Sequence, residues 1–332
     1  MQDQPRIRIC VVGAGAIGGY FAARLAAAGN DVSVLARGPV LAAVLEHGVR
    51  LESGGEQIAA PVRASADAAD LGIQDIVVIA VKSPALASVA RVIAPLLGPD
   101  TVVIPALNGI PWWYFLGPGQ PLEGKRLHSV DPSAEIESGI PLERVVGTVV
   151  VVSCYSPEPG RVVQAAGNKV LFGEPSGGYS ERVEKVAALF KAAGIDGGAS
   201  PDIRRDIWVK LLGNACFNPV SMITGSHSDD LLEDAGLIRL FTGMMTEMLT
   251  LSRTLGIDVQ MDPAARLAQT RQLGHVKTSM LQDLEAGRQV ELDSIIGAVV
   301  ECAGAIGVPV PLLDTVYALA RQRGRELNIY AG

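Results

Sequence analysis

The sequence predicts an α/β chain of two domains: a doubly wound parallel sheet with an antiparallel extension over residues 1–200, and an all-α domain over residues 201–332. Three observations carry that prediction. Arg6–Arg37 reads as strand, glycine-rich turn, helix and second strand. A strand–helix–strand rhythm continues to residue 107, which implies a parallel sheet. Beyond Asp202 the strand signal nearly vanishes and helical periodicity takes over.

The first unit, RIRICVVGAGAIGGYFAARLAAAGNDVSVLAR, opens with a β-branched run from Ile7 to Val12, suited to a strand buried on both faces. Gly13-Ala14-Gly15-Ala16-Ile17-Gly18 then has the G-x-G-x-x-G spacing of a dinucleotide site. Gly13 permits the tight turn, Gly15 lets a pyrophosphate approach the backbone, and Gly18 lets the helix lie close to the strand. The pyrophosphate rests on the unpaired N–H groups of the helix that runs from about Ala16 to Ala28. The required strand–turn–helix–strand context makes this a Rossmann-type unit. A second strand, Val32–Leu35, ends at Arg37, where an NAD site would place a carboxylate about 20 residues after the fingerprint. A guanidinium cannot accept from a ribose 2′-OH but pairs with a 2′-phosphate. Arg37 therefore favours NADP(H), the bland alternative being a solvated residue at a strand end.

Next come a short helix over 39–47 and a hairpin over 49–62 turning at Ser53-Gly54-Gly55. A buried strand ends at Lys82, a helix covers 85–97, and a strand over 101–107 leads to the Asn108-Gly109 turn. Lys82 and Asn108 both lie just past the carboxyl ends of strands, where open α/β sheets bind ligands. Residues 111–178 are less regular. They hold the aromatic run Pro111-Trp112-Trp113-Tyr114-Phe115, which covers the sheet edge or lines a substrate pocket. They also hold two β-rich stretches around Pro157–Gly160, read as antiparallel strands extending the sheet. Glu181–Ala193 is helical, and the Gly/Ser/Pro-rich stretch Gly194–Pro201 marks the domain boundary.

A net charge of −7 argues against nucleic acid or an anionic membrane as partner. No stretch reaches the ~18 apolar residues of a membrane span. Arg6 and Arg8 before an apolar run imitate a signal peptide, but four glycines and Arg24 interrupt the apolar segment. The expectation is a soluble, cytoplasmic protein. The four cysteines have no C-x-x-C pair and the four histidines no metal-ligand spacing, so no metal is expected. The apolar stretches Ile295–Ile306 and Leu312–Ala320 leave room for a homodimer.

In the second domain, DIWVKLLGNACFNPVSMITG sets Lys210, Asn214 and Asn218 at i, i+4 and i+8, on one helix face at ~100° per residue. One amine and two amides among Leu211, Leu212, Ala215 and Phe217 are a candidate site; the plainer reading is a stripe facing water. Pro219 predicts a kink or an end to that helix. Thr278 or Ser279 starts another helix, and Glu291 falls in the first turn of the next, where the helix dipole favours a carboxylate.

Together GAGAIGG, the strand ending VKS, the turn LNG, KLLGNACFNP and SMLQDLEAGRQVELD resemble the ketopantoate reductase (2-dehydropantoate 2-reductase) family, over both domains and in order. The resemblance implies NADPH-dependent reduction of ketopantoate to pantoate, on the route to pantothenate and coenzyme A. It implies Lys210 as the proton donor to the carbonyl oxygen. Asn108, Asn214, Asn218 and Ser279 would bind substrate. Gly13 to Gly18, Arg37, Lys82 and Asn108 would hold the cofactor, and Glu291 would lie near both. Ten residues past Asn218, where the family often has a further substrate-contacting Asn, this chain has Ser228. The aromatic run and the long stretch to about Gly178 exceed the shorter members, and their reaching the substrate would imply a bulkier 2-oxo acid. A non-catalytic NADP(H) sensor would keep the fingerprint but have no need of Lys210, Asn214 and Glu291.

Overall fold

The computed structural model describes residues 6–331. The chain divides into two compact units, one formed by the chain up to Leu107 with Ala134–Ile203, the other by Asn108–Ser133 with the chain from Arg204 onward. Each is built around its own core.

The first unit runs β1 (Arg8–Val12), α1 (Ala16–Ala27), β2 (Asp31–Leu35), α2 (Gly38–His47), β3 (Val49–Ser53), β4 (Glu56–Ala60), β5 (Arg63–Ser65), β6 (Gln74–Ile79), α3 (Leu86–Ala90) and β7 (Leu97–Pro105). It resumes with α4 (Glu135–Gly139), β8 (Gly147–Glu158), β9 (Arg161–Gly173), α5 (Glu181–Ala192) and β10 (Asp196–Ala199). Five strands form a parallel sheet in the order β5-β2-β1-β6-β7. Ile9, Cys10 and Val11 are wholly buried, as an apolar run in a doubly covered central strand must be. The chain winds in opposite directions from β1, leaving a crevice beside its carboxyl end, the ligand position of such sheets.

The antiparallel strands meet the parallel sheet at one parallel bridge, Val103↔Val145, where Val146 N–H donates to Val103 O at 2.9 Å. Beyond that bridge they form a second sheet instead of continuing the first. β9 pairs antiparallel with β8 along one edge and parallel with β3 and β10 along the other. Helix α1 packs against β1 and β2 and also against β3, β8 and β9. Its Phe21 meets Phe190 edge-on at 5.4 Å, and Phe172 closes on Phe190 at 4.7 Å. Each such buried ring stabilises the fold by roughly 1.5–3 kcal/mol. Two local expectations change. The helix expected over 85–97 is only Leu86–Ala90 between short 3-10 turns, with Pro84 and Pro95 at either side, and the stretch expected to be a linker contributes β10.

The second unit holds α6 (Ile203–Thr224), α7 (Ser228–Leu231), α8 (Ala235–Thr254), α9 (Pro263–Arg271), α10 (Ser279–Glu285), a π-turn (Asp293–Gly297) running into α11 (Ala298–Ile306), and α12 (Pro311–Glu326). Helix α6 does not stop at Pro219 but continues through it to Thr224. Burial of Phe217, Val220 and Met222 offsets the hydrogen bond a proline forgoes.

Segment 108–133, placed by sequence with the sheet, groups with the helices because its backbone is tied to them. Ile110 N–H donates to Ser294 O at 2.8 Å, and Tyr114 Oη donates to Arg204 O at 2.8 Å. Glu301 accepts from His128 N–H, Ser129 N–H and Ser129 Oγ at 2.7, 2.8 and 2.6 Å. Trp112, Trp113, Tyr114 and Phe115 are all buried, with Tyr114 stacked 6.1 Å from Trp113 and tilted 6.5 Å from Trp208 of α6. The aromatic run is therefore core of the helical unit rather than an edge cover. No described helix is long and apolar enough to cross a membrane.

Candidate active site

The glycine turn of the first unit is shaped by two contacts and one space. Gly13 has φ +87°, and a Cβ there would lie 2.7 Å from Val81 Cγ1 and 3.1 Å from Ala80 O. A Cβ on Gly18 would lie 1.8 Å from Gly13 O, so helix and strand meet backbone to backbone. Nothing comes within 4 Å of a Cβ built on the exposed Gly15. No side chain caps the N-terminus of α1, which leaves the first-turn N–H groups beside that space to other acceptors. This fits a pyrophosphate, which needs backbone donors and room. Ala14 is buried, while Ala16 and Ile17 are half-buried. Arg37 is exposed two residues past β2, with no ion-pair partner among the described residues. Lys82 is half-buried three residues past β6, where its carbonyl accepts from Ala85 N–H.

In the second unit a partly buried polar cluster forms where three separate segments converge. Lys210 Nζ donates to Asn108 Oδ1 at 2.8 Å, and Asn108 Nδ2 makes a longer bond of 3.4 Å to Glu291 Oε2. Only this amide orientation works, since an ammonium has no acceptor and a carboxylate no donor. Burial pushes the Lys210 ammonium down to about 8, partly opposed by the attraction of Glu291, itself 5% exposed. Near neutral pH the amine therefore still carries its proton but holds it less tightly than an exposed lysine.

The backbone explains how these groups meet. Gly109, with φ +84°, would place a Cβ 2.2 Å from Ser294 O, so only glycine lets the 108–110 turn lie on the π-turn. Glu291 immediately precedes that turned segment and is braced on both sides. Val290 N–H donates to Ile329 O at 3.0 Å, and Asp293 Oδ1 accepts from Tyr317 Oη at 2.5 Å and Tyr330 Oη at 2.8 Å.

Asn214 and Asn218 share the Lys210 face of α6, as their spacing predicts. Neither amide has a hydrogen-bond partner among the described residues, although Asn218 is only 5% exposed. Asn214 is half-buried, and both amides are left to bond with water or a ligand. Ser279 is exposed at the start of α10, where Thr278 Oγ1 accepts from Leu281 N–H at 3.1 Å. Ser228 is buried and its N–H donates to Val276 O at 3.0 Å. Sequence reasoning missed the supporting part played by Gly109 and Ser294. The Asn-Gly dipeptide marks a turn, but a π-turn has no sequence signature that would reveal its partner.

The sequence profile described as "Ketopantoate reductase PanE/ApbA" matches residues 9–177, and that described as "Ketopantoate reductase PanE/ApbA C terminal" matches residues 202–324. The chain is 44% identical over 326 residues to a 2-dehydropantoate 2-reductase of Mesorhizobium japonicum, covering 98% of this chain and 100% of that one. A solved structure from Ralstonia solanacearum MolK2, provisionally assigned to ketopantoate reductase, superposes with a TM-score of 0.94 at 45% identity, covering 98% and 99% of the two chains. A PanE/ApbA family ketopantoate reductase from Ralstonia eutropha JMP134 gives 0.83 at 26% identity, with 97% and 100% covered. With both profiles matched and a relative this similar along its whole length, the chain belongs to the ketopantoate reductase family of nicotinamide-dependent oxidoreductases.

Proposed function

We propose that the protein reduces ketopantoate to pantoate with NADPH, and that Lys210 delivers the proton. The observation that carries this reading is the 2.8 Å bond from Lys210 Nζ to Asn108 Oδ1, made by an amine whose burial lowers its pKa to about 8. NADPH, when bound, supplies the hydride to the carbonyl carbon. As that hydride adds, negative charge develops on the carbonyl oxygen, and an ammonium beside it stabilises the charge and protonates the oxygen. Asn108 fixes Nζ in position, and Glu291 keeps the amine protonated against the cost of its burial. The free amides of Asn214 and Asn218 would orient the substrate hydroxyl and carboxylate, and Ser279 would add a hydroxyl at the opening. After product leaves, Nζ takes its next proton from water.

For the cofactor, the Gly13–Gly18 turn would cradle the pyrophosphate, Arg37 would pair with the 2′-phosphate, and Lys82 would add positive charge. Burial of Trp112 to Phe115 in the helical core supports a small acid rather than a bulky one. The discriminating measurement is NADPH oxidation with ketopantoate against a panel of 2-oxo acids. The highest kcat/KM is expected for ketopantoate; a negligible rate with it and a high one with an aryl 2-oxo acid would overturn the substrate. Because the reducing direction uses the charged amine, kcat should fall as pH rises through about 8. A profile flat from neutral to pH 10 would remove Lys210 from the proton step.

A further inference from the structure

Away from the Lys210 cluster, two surface segments of the helical unit bring together residues far apart in sequence. The side chains of His227, Asp230 and His275 offer ligand atoms that all lie within 4.8 Å of one another. His227 lies 3.7 Å from Asp230 Oδ2 through Nδ1, and its ring stacks on that of His275 with centroids 3.9 Å apart. The two carboxylate oxygens of Asp229 lie 2.9 and 3.0 Å from His275 Nδ1.

From this arrangement we propose that His227, Asp230 and His275 bind one divalent transition ion of the zinc–nickel–copper class, with Asp229 as the carboxylate behind His275. Two imidazoles and one carboxylate match the preference of these ions for nitrogen with some oxygen, and water completes the coordination. The Asp229–His275 bond is what a metal-ligating histidine needs. It holds the proton on Nδ1, leaves the Nε2 lone pair free and raises its basicity. Bonds of ~2.0–2.2 Å need ligand atoms ~3.2–3.6 Å apart. Side chains as exposed as Asp230 (53%) and His275 (62%) can close that gap by rotation.

The backbone under the cluster is already fixed. Ser228 N–H donates to Val276 O at 3.0 Å, Thr278 Oγ1 to Ser221 Oγ at 3.2 Å, and Ser221 Oγ to Ser226 O at 2.8 Å. The ion would find its ligands on two tethered segments, the start of α7 and the loop before α10, and would tighten the stretch leading into Ser279. The four histidines show no metal spacing in sequence because the two that meet here stand on separate loops, one after α6 and the other before α10.

The test uses the untagged full chain, treated with EDTA and titrated with Co²⁺. Visible ligand-field bands should saturate at one ion per chain and disappear when Zn²⁺ is added, and Zn²⁺ should raise Tm. His227→Ala and His275→Ala should each abolish the bands, and Asp229→Asn should weaken binding by roughly 10–100-fold. The His47→Ala/His128→Ala double variant should bind normally. Absence of bands, a titration that never saturates, or bands that survive in His227→Ala/His275→Ala would overturn the site. Unchanged far-UV circular dichroism in the variants, and the milder Asp230→Asn, separate loss of a ligand from loss of fold.

Discussion

Gly13 and Gly109 stand in the same kind of place, a turn after the carboxyl end of a parallel strand, and hold φ values of 87° and 84°. Each is glycine because a Cβ would strike neighbouring protein. Their surroundings differ. After Gly13 the turn opens onto the space at Gly15, with the first N–H groups of α1 uncapped by any side chain. Gly109 instead has its Cβ side filled: the turn is pressed on the π-turn, and the neighbouring Asn108 amide is shared between Lys210 and Glu291. The first turn leaves its donors for a ligand. In the reaction proposed above, the second uses the protein's own groups to hold the proton donor, so the first should govern affinity and the second rate.

That division can be broken at five positions. Lys210→Ala should lower kcat by ~10²–10⁴-fold, the usual range for a general acid, with NADPH affinity nearly unchanged. Near-normal turnover would mean that the Asn108 turn holds no reactive group. Gly109→Ala should cost about 3 kcal/mol through overpacking and left-handed strain, and reduce kcat with little change in the KM for NADPH. Unfolding curves and steady-state kinetics read both effects, and an intact kcat would end the idea that this turn sets the rate.

Gly18→Ala and Gly15→Ala form an internal control. The first should destabilise by ~1–3 kcal/mol because its Cβ meets a carbonyl oxygen. The second should keep its Tm and lose cofactor affinity; equal Tm losses in both would deny that the space at Gly15 belongs to a ligand. Smallest is Arg37→Ala, expected to raise the KM for NADPH about tenfold, the ~1.4 kcal/mol scale of one charge-assisted contact, while leaving the KM for NADH alone. Equal effects on both cofactors would detach Arg37 from the phosphate.

What the sequence makes legible is local. The glycine fingerprint, the strand before it and the Lys210–Asn214–Asn218 stripe come from spacing within one or two elements, and β1, α1 and β2 fall where periodicity places them, while α6 runs past the stop that Pro219 predicts. The cluster itself is not readable. Its central bond joins residues 102 positions apart, and nothing in Asn108-Gly109 announces Ser294 as a neighbour. The antiparallel strands are visible, but whether they lengthen one ladder or begin another depends on the single bridge at Val103↔Val145. The fate of Trp112 to Phe115 is likewise undecidable from sequence, because an aromatic run is equally suited to a core and a pocket. Only the hydrogen bonds of segment 108–133 to α6 and α11 decide it.

The bracing of Glu291 by Ile329 and Tyr330 has a practical side. These two residues lie far along the chain from the amine they help to frame, yet a protease nick after Asn328 would release them and loosen the carboxylate's footing. Preparations nicked there should keep their helices and lose their speed.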